Sequence, residues 1–150
     1  MNLTEEIKKY IDQSVLCWLA TSSTENQPNV SPKEVFATYK NDSIIIANIA
    51  SPQTMKNIRR NYRVCISFID ILVQKGFQLK GQAEIIESDH EEFTAMEKIL
   101  LKITQGDFPF SSIIKIYVIK SKPIIAPRYI LYPDTTEAEQ ITNARRLYGL

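Results

Sequence analysis

The stretch "FQLKGQAEIIE", residues 77–87, alternates side chains of opposite character along most of its length. Phe77, Leu79, Gly81, Ala83 and Ile85 fall on one side and Gln78, Lys80, Gln82 and Glu84 on the other, the period-2 pattern of an extended strand with one dry face and one wet face. Such a strand needs partners, and the chain supplies them in "SVLCWLAT" (14–21), "NVSPKEVFATY" (29–39, interrupted at Pro32), "SIIIANI" (43–49), "VCISFI" (64–69) and "SIIKIYVIKSKPIIA" (112–126, one strand or a bent pair). The polar turns "SSTENQP" and "KND" are too short for crossovers, so the strands are expected to run antiparallel.

Helical patterns lie between and around these runs. Residues 3–13 place Ile7, Tyr10 and Ile11 on one face, with Asn2 or Thr4 as cap. Ser88 and Glu91 have capping-box spacing ahead of a stripe of Phe93, Met96, Ile99, Leu100 and Ile103, and Gly106 marks its end. Thr136 and Glu139 repeat that spacing before a closing helix. The order predicts one α+β domain, mainly β, over residues 1–150: a barrel or sandwich rather than a parallel sheet.

Composition narrows the function. With 44% hydrophobic and 23% charged residues the chain is an ordinary globular sequence, and its net charge of +1 gives no global field for nucleic acid. Four glycines write neither GxGxxG nor a Walker loop. Cys17 and Cys65 sit in apolar runs and are expected as buried free thiols, and His90 stands alone without a metal-spaced cysteine cluster. The amphipathic, charged N-terminus lacks the apolar centre of a signal peptide, and no run reaches membrane-spanning length, so a cytoplasmic location is expected.

The most informative segment is "ASPQTMKNIRRNYR", residues 50–63. With Ser51 as N-cap and Pro52 at N1, a short helix starts where the amides of Gln53 and Thr54 have no intrahelical acceptor. Two readings stay open: a phosphate resting on those amides with the Ser51 and Thr54 hydroxyls, or a self-satisfied cap in which Ser51 bonds the amide of Thr54. Met55, Ile58 and Tyr62 mark the buried stripe. Lys56, Arg59, Arg60 and Arg63 fall on other faces, at spacings where like charges repel by roughly 0.2–0.5 kcal/mol per pair. Lys56 alone lies in the first turn; the arginines suit a subunit interface or simple solvation.

The ordered set "SVLCWLAT", "PNVSPKEVF", "SIIIANIASPQTMKNIRRNYRVCISF" and "GFQLKGQAEII" resembles the pyridoxamine phosphate oxidase-like FMN-binding split-barrel family, most closely over residues 14–87. The resemblance implies a six-stranded antiparallel split barrel with flanking helices, forming a homodimer with FMN in clefts between subunits. Carried over by position, the phosphate would rest near Ser51, Gln53 and Thr54 with Lys56 nearby. Ser31, Pro32 and Lys33 would run along the ring and ribityl chain, and Ala47 and Asn48 would offer backbone groups to the ring edge. Gly76 and Phe77 would touch flavin from the partner subunit. Lys33 is the candidate cation for the N1–C2 edge of the ring, against the plainer role of a solvated strand lysine.

Two departures qualify the resemblance. Gln53 and Thr54 stand where the authentic oxidase has an Arg-Lys pair, and the chain ends "RRLYGL" instead of the oxidase's substrate-binding terminus. The first replaces a charge-assisted pair by neutral donors and implies weaker FMN binding, and the second argues against oxidation of pyridoxamine phosphate itself. The expectation is an FMN-dependent oxidoreductase or flavin-reductase-like protein, with NAD(P)H or another small molecule as electron donor. The alternative is a non-catalytic flavin or haem carrier or stress sensor on the same barrel, for which His90 is the available axial ligand. An OB-like oligonucleotide binder fits neither the charge nor the buried aromatics. Tyr129 and Tyr132 are candidates to cover the flavin or, more simply, structural tyrosines.

Overall fold

A computed structural model describes residues 1–150. Seven strands form one antiparallel sheet: β1 (Cys17–Ser22), β2 (Pro28–Lys33), β3 (Phe36–Tyr39), β4 (Ser43–Ala47), β5 (Arg63–Asp70), β6 (Lys75–Glu87) and β7 (Ser112–Ile125), in the order β2-β1-β5-β6-β7-β4-β3. The two edge strands, β2 and β3, are separated in sequence by Glu34 and Val35 alone. Three Cα steps reach at most about 11 Å, so the sheet must curl until its edges almost meet. The result is a split barrel with a seam at residues 33–36.

Seven strands replace the expected six because residues 29–39 form two strands, not one. Pro32 is not the break. It sits in an edge strand, where one row of backbone groups needs no ladder partner and proline is tolerated. The chain turns instead at Glu34 and Val35, sending one half of the segment to each edge.

Five helices flank the sheet: α1 (Glu5–Gln13), α2 (Pro52–Arg60), α3 (Phe93–Thr104), α4 (Pro127–Leu131) and α5 (Glu137–Tyr148). All five residues of β4 are buried because both of its faces are covered. Ile44 and Ile46 join the main core, to which α1 contributes Ile7 and Ile11, while Ile45 joins a second cluster with Met96 and Leu100 of α3. Thr4 caps α1, its hydroxyl accepting from the Ile7 amide at 3.2 Å, and the Thr136–Glu139 capping box forms as expected. Helix α4, which opens on Pro127, has no counterpart among the expected elements.

Three local expectations are corrected. Tyr62 is 50% exposed because α2 ends at Arg60; Thr54 and Asn57 complete the buried stripe with Met55 and Ile58. Cys17 is a buried free thiol that burial pushes up to about 12, whereas Cys65 is only half-buried, its thiol also raised by burial. The Ser88–Glu91 box does not form: these residues make a turn, and α3 begins after Glu92. Glu92 is drawn to the sheet, where its carboxylate accepts from Lys115 at 2.8 Å, from Lys40, and from the Tyr39 hydroxyl at 3.2 Å.

The bonds from Lys115 and Lys40 hold the Glu92 carboxyl at about 2, against an ordinary 4.5. A depressed folded-state value means that the network stabilises the fold above pH 4.5 and is lost as pH falls toward 2. Glu92→Gln should therefore lower stability at neutral pH, on the order of 1 kcal/mol for a partly exposed network. It should also flatten the acid dependence across that window, which urea unfolding at a series of pH values measures.

Gly76 is fixed by a close approach rather than a turn. An added Cβ would lie 2.0 Å from the Phe68 carbonyl oxygen on the paired strand β5. No helix is long and apolar enough to cross a membrane.

Candidate functional site

The seam holds a cavity of about 180 Å³ lined by Pro32, Lys33, Glu34, Val35, Ala47, Ile49 and Phe108. Three of the expected cofactor residues, Pro32, Lys33 and Ala47, thus meet where the two sheet edges converge. Lys33 is 7% exposed, and burial lowers its pKa below the ordinary 10.5. Its ammonium donates to the Ser51 hydroxyl and pairs with no carboxylate. A buried cation without a counter-ion is costly and attracts an anion into its surroundings.

That contact removes the self-satisfied cap at the α2 start. Ser51 occupies the N-cap position but makes no capping bond. Its hydroxyl accepts from Lys33 and donates to the Ile49 carbonyl at 3.0 Å, so the first-turn amides of Gln53 and Thr54 receive no side-chain cap. Thr54 is 1% exposed and its hydroxyl lies 3.2 Å from that of Ser31 on β2. The sequence therefore brings Ser31 to Thr54 and Lys33 to Ser51, tying the edge strand to the helix start through four of the expected residues.

Gln53 and Lys56 open onto a second, wholly polar cleft of about 230 Å³, shared with Ser23, Thr24, Glu25, Asn57 and Arg60. Gln53 donates to the Asn57 Oδ1 at 2.9 Å, and Asn57 in turn donates to Thr21 at 2.9 Å, which fixes the helix against β1. Arg60 is a residue that sequence reasoning left to solvation or an interface. Its signal was present in the four-residue spacing from Lys56, which puts both cations on one face.

Other expected positions behave differently. Of the backbone groups the resemblance assigned to the ring edge, the amides of Ala47 and Asn48 are engaged by Val35 O at 3.0 Å and Ser112 O at 3.1 Å. The Asn48 side chain donates to Ser112 at 2.9 Å, while its buried Oδ1 has no partner. Phe77 is buried in the core against Tyr10 and Phe68, with ring centroids 6.1 and 6.5 Å away. Gly76 pairs with Ile69 and Ile124, which line an apolar cleft of about 470 Å³ together with Val15, Trp18 and Ile71. Neither Gly76 nor Phe77 lines the seam cavity.

Tyr129 is tied down structurally, its hydroxyl donating to Val73 O at 2.7 Å beneath the Lys75 ammonium. Tyr132 is exposed and stands beside Arg128. His90 accepts the Glu92 amide at Nδ1, in the turn before α3. No group of three His, Cys, Asp or Glu is placed to hold a metal ion.

The chain is thus an antiparallel split barrel whose seam cavity carries a buried lysine next to a helix start without a side-chain cap. Residues 3–141 match the family described as pyridoxamine 5'-phosphate oxidase, and the chain belongs to that family. Among solved structures it is similar to HupZ of Group A Streptococcus, at 27% identity over 79% of this chain and 91% of that one, with a TM-score of 0.69. It shares its fold with an FMN-binding protein from Syntrophomonas wolfei (17% identity, 81% and 86% coverage, TM-score 0.69). The same holds for HutZ, the haem storage protein from Vibrio cholerae (19% identity, 83% and 95% coverage, TM-score 0.61). A comparison with curated proteins gave no match.

Proposed function

We propose that the chain is an FMN-binding flavoprotein, an oxidoreductase of flavin-reductase type, with the ring in the seam cavity and the phosphate at the start of α2. The observation that carries this reading is the Lys33–Ser51 contact. It leaves the first-turn amides uncapped, and it sets one buried cation at the cavity where an electron-rich ring edge would lie. The donor set fits the group. Hydroxyls of Ser31 and Thr54, the amides of Gln53 and Thr54, and the cations Lys56 and Arg60 match a phosphate, while Pro32, Val35 and Ile49 give the ring apolar walls.

When bound, the flavin supplies hydride or electron transfer. The chain's own residues hold and polarise it: Lys33 favours negative charge at the ring edge, and the apolar walls exclude water. The name of the S. wolfei relative supports the cofactor assignment. Gln53 and Thr54, neutral where the oxidase has charged residues, would hold the FMN phosphate by hydrogen bonds without charge assistance, and NAD(P)H or another small molecule would be the electron donor.

The working unit in this reading is a homodimer. Trp18, Val15 and Ile71 stand exposed around an apolar cleft on the outer face of the sheet, beside Gly76, where a second copy would cover them. Light scattering is expected to give twice the chain mass, and Trp18→Glu should yield monomers that retain little flavin.

An absorbance spectrum of purified protein titrated with FMN tests the proposal. The expected result is a saturable, perturbed flavin spectrum that NAD(P)H or a chemical reductant bleaches. An FMN spectrum identical to free flavin throughout the titration would contradict it.

A further inference from the structure

Phe108 is the one aromatic side chain lining the seam cavity, and nothing in the family resemblance assigned it a role. It lies on the connection from α3 to β7, and that connection is anchored on both sides of it. The chain leaves α3 through Gln105 and Gly106, with φ of 53° and 84°. The buried Thr104 accepts the Asp107 amide at its carbonyl (3.0 Å) and the Gly106 amide at its hydroxyl (3.2 Å). Beyond Phe108, Phe110 packs onto the core cluster under α3, and β7 starts at Ser112. Between these anchors Phe108 remains 54% exposed and lines the cavity with Pro32 of β2 and Val35 of the turn that follows it.

We propose that Phe108 is the outer wall on which the planar ring of the bound cofactor stacks, so that the seam site selects flat aromatic ligands with an anionic edge. This rests on the flavin reading above. A large apolar side chain held out at a cavity mouth by a pinned loop presents a flat face, and aromatic faces attract planar ring systems in offset-stacked or edge-on geometry. Pro32, Val35 and Ile49 supply the remaining apolar surface, and Lys33 the single buried cation. Glu34, which also lines the cavity, is exposed and disfavours an anion at its own end, leaving the Lys33 side for the charged edge.

Flavin binding to the wild type, Phe108→Ala and Phe108→Tyr, using both FMN and riboflavin, tests the assignment. Phe108→Ala is expected to weaken both flavins by about tenfold and to relieve part of the quenching of flavin fluorescence on binding. Phe108→Tyr keeps the ring and should restore affinity to within about twofold. Melting temperature and mass by light scattering should be unchanged in both variants, since the side chain is exposed. Equal affinity and equal quenching in wild type and Phe108→Ala would overturn the Phe108 assignment alone. Loss of flavin accompanied by dissociation into monomers would also overturn it, making Phe108 a subunit contact. A wild type that binds neither flavin would overturn it together with the flavin reading.

Discussion

Lys33→Met is expected to make the ligand-free protein more stable and its hold on flavin weaker. Lys33 is nearly enclosed, its ammonium meets a hydroxyl and no carboxylate, and burial has already lowered its pKa. Methionine keeps the length of the side chain and removes the uncompensated charge, a change worth about 1–2 kcal/mol by analogy with other buried ions, or a few degrees of melting temperature. The sign with pH follows from linkage. A lysine whose folded-state value is lowered carries its full penalty below that value, and the penalty fades as pH rises toward the ordinary 10.5. The advantage of the methionine variant should therefore be greatest near neutrality and vanish in strong alkali. FMN affinity should fall about tenfold, more for the reduced form than for the oxidised. Each tenfold difference between the two forms lowers the bound flavin's two-electron potential by roughly 30 mV. Thermal melts and redox titration of the two proteins report both effects, and a variant that is less stable and binds reduced flavin normally would refute the role given to Lys33.

The double reversal Lys56→Glu with Arg60→Glu should cost FMN about two orders of magnitude in affinity while leaving riboflavin within about twofold. A phosphate carries close to two negative charges, and charge-assisted bonds to it contribute on the order of 1.5–3 kcal/mol each. Both cations are exposed, face the polar cleft beside Gln53, and form no ion pair with a carboxylate, so the fold should tolerate the change. Riboflavin lacks the phosphate and serves as the internal control. Thr54 is a poorer probe of the same seat because it is enclosed, and a carboxylate there would unfold the helix start before it could repel a ligand. Fluorescence titration with the two flavins separates the outcomes: an equal loss for both would move the phosphate away from this face of α2.

Much of this architecture was legible because burial leaves a period in the sequence. The alternation of residues 77–87 and the apolar run 43–47 lie on strands that pack on defined faces, and the Thr136–Glu139 box caps the helix it was expected to cap. What stayed hidden depended on long-range pairing. The division of residues 29–39 into two strands follows from closure of the barrel, which no local pattern records. Glu92 displaced the Ser88–Glu91 box because Lys40 and Lys115, distant in sequence, compete for its carboxylate. At the site, cap chemistry pointed to Ser51 and Thr54 and the family resemblance to Ser31 and Lys33, but neither implied that the Lys33–Ser51 contact would spend the cap hydroxyl. Phe108 stayed hidden for the same reason: an aromatic in a loop acquires meaning only from the cavity it borders.

The central claim is a location, and a crystal structure of the protein equilibrated with saturating FMN tests it most directly. The account predicts the phosphate against the Ser31 and Thr54 hydroxyls and the first-turn amides of α2, with the ring at Pro32 and Lys33 in the seam. Density for FMN elsewhere on the protein, or a seam and helix start that stay free of it at saturation, would contradict the account.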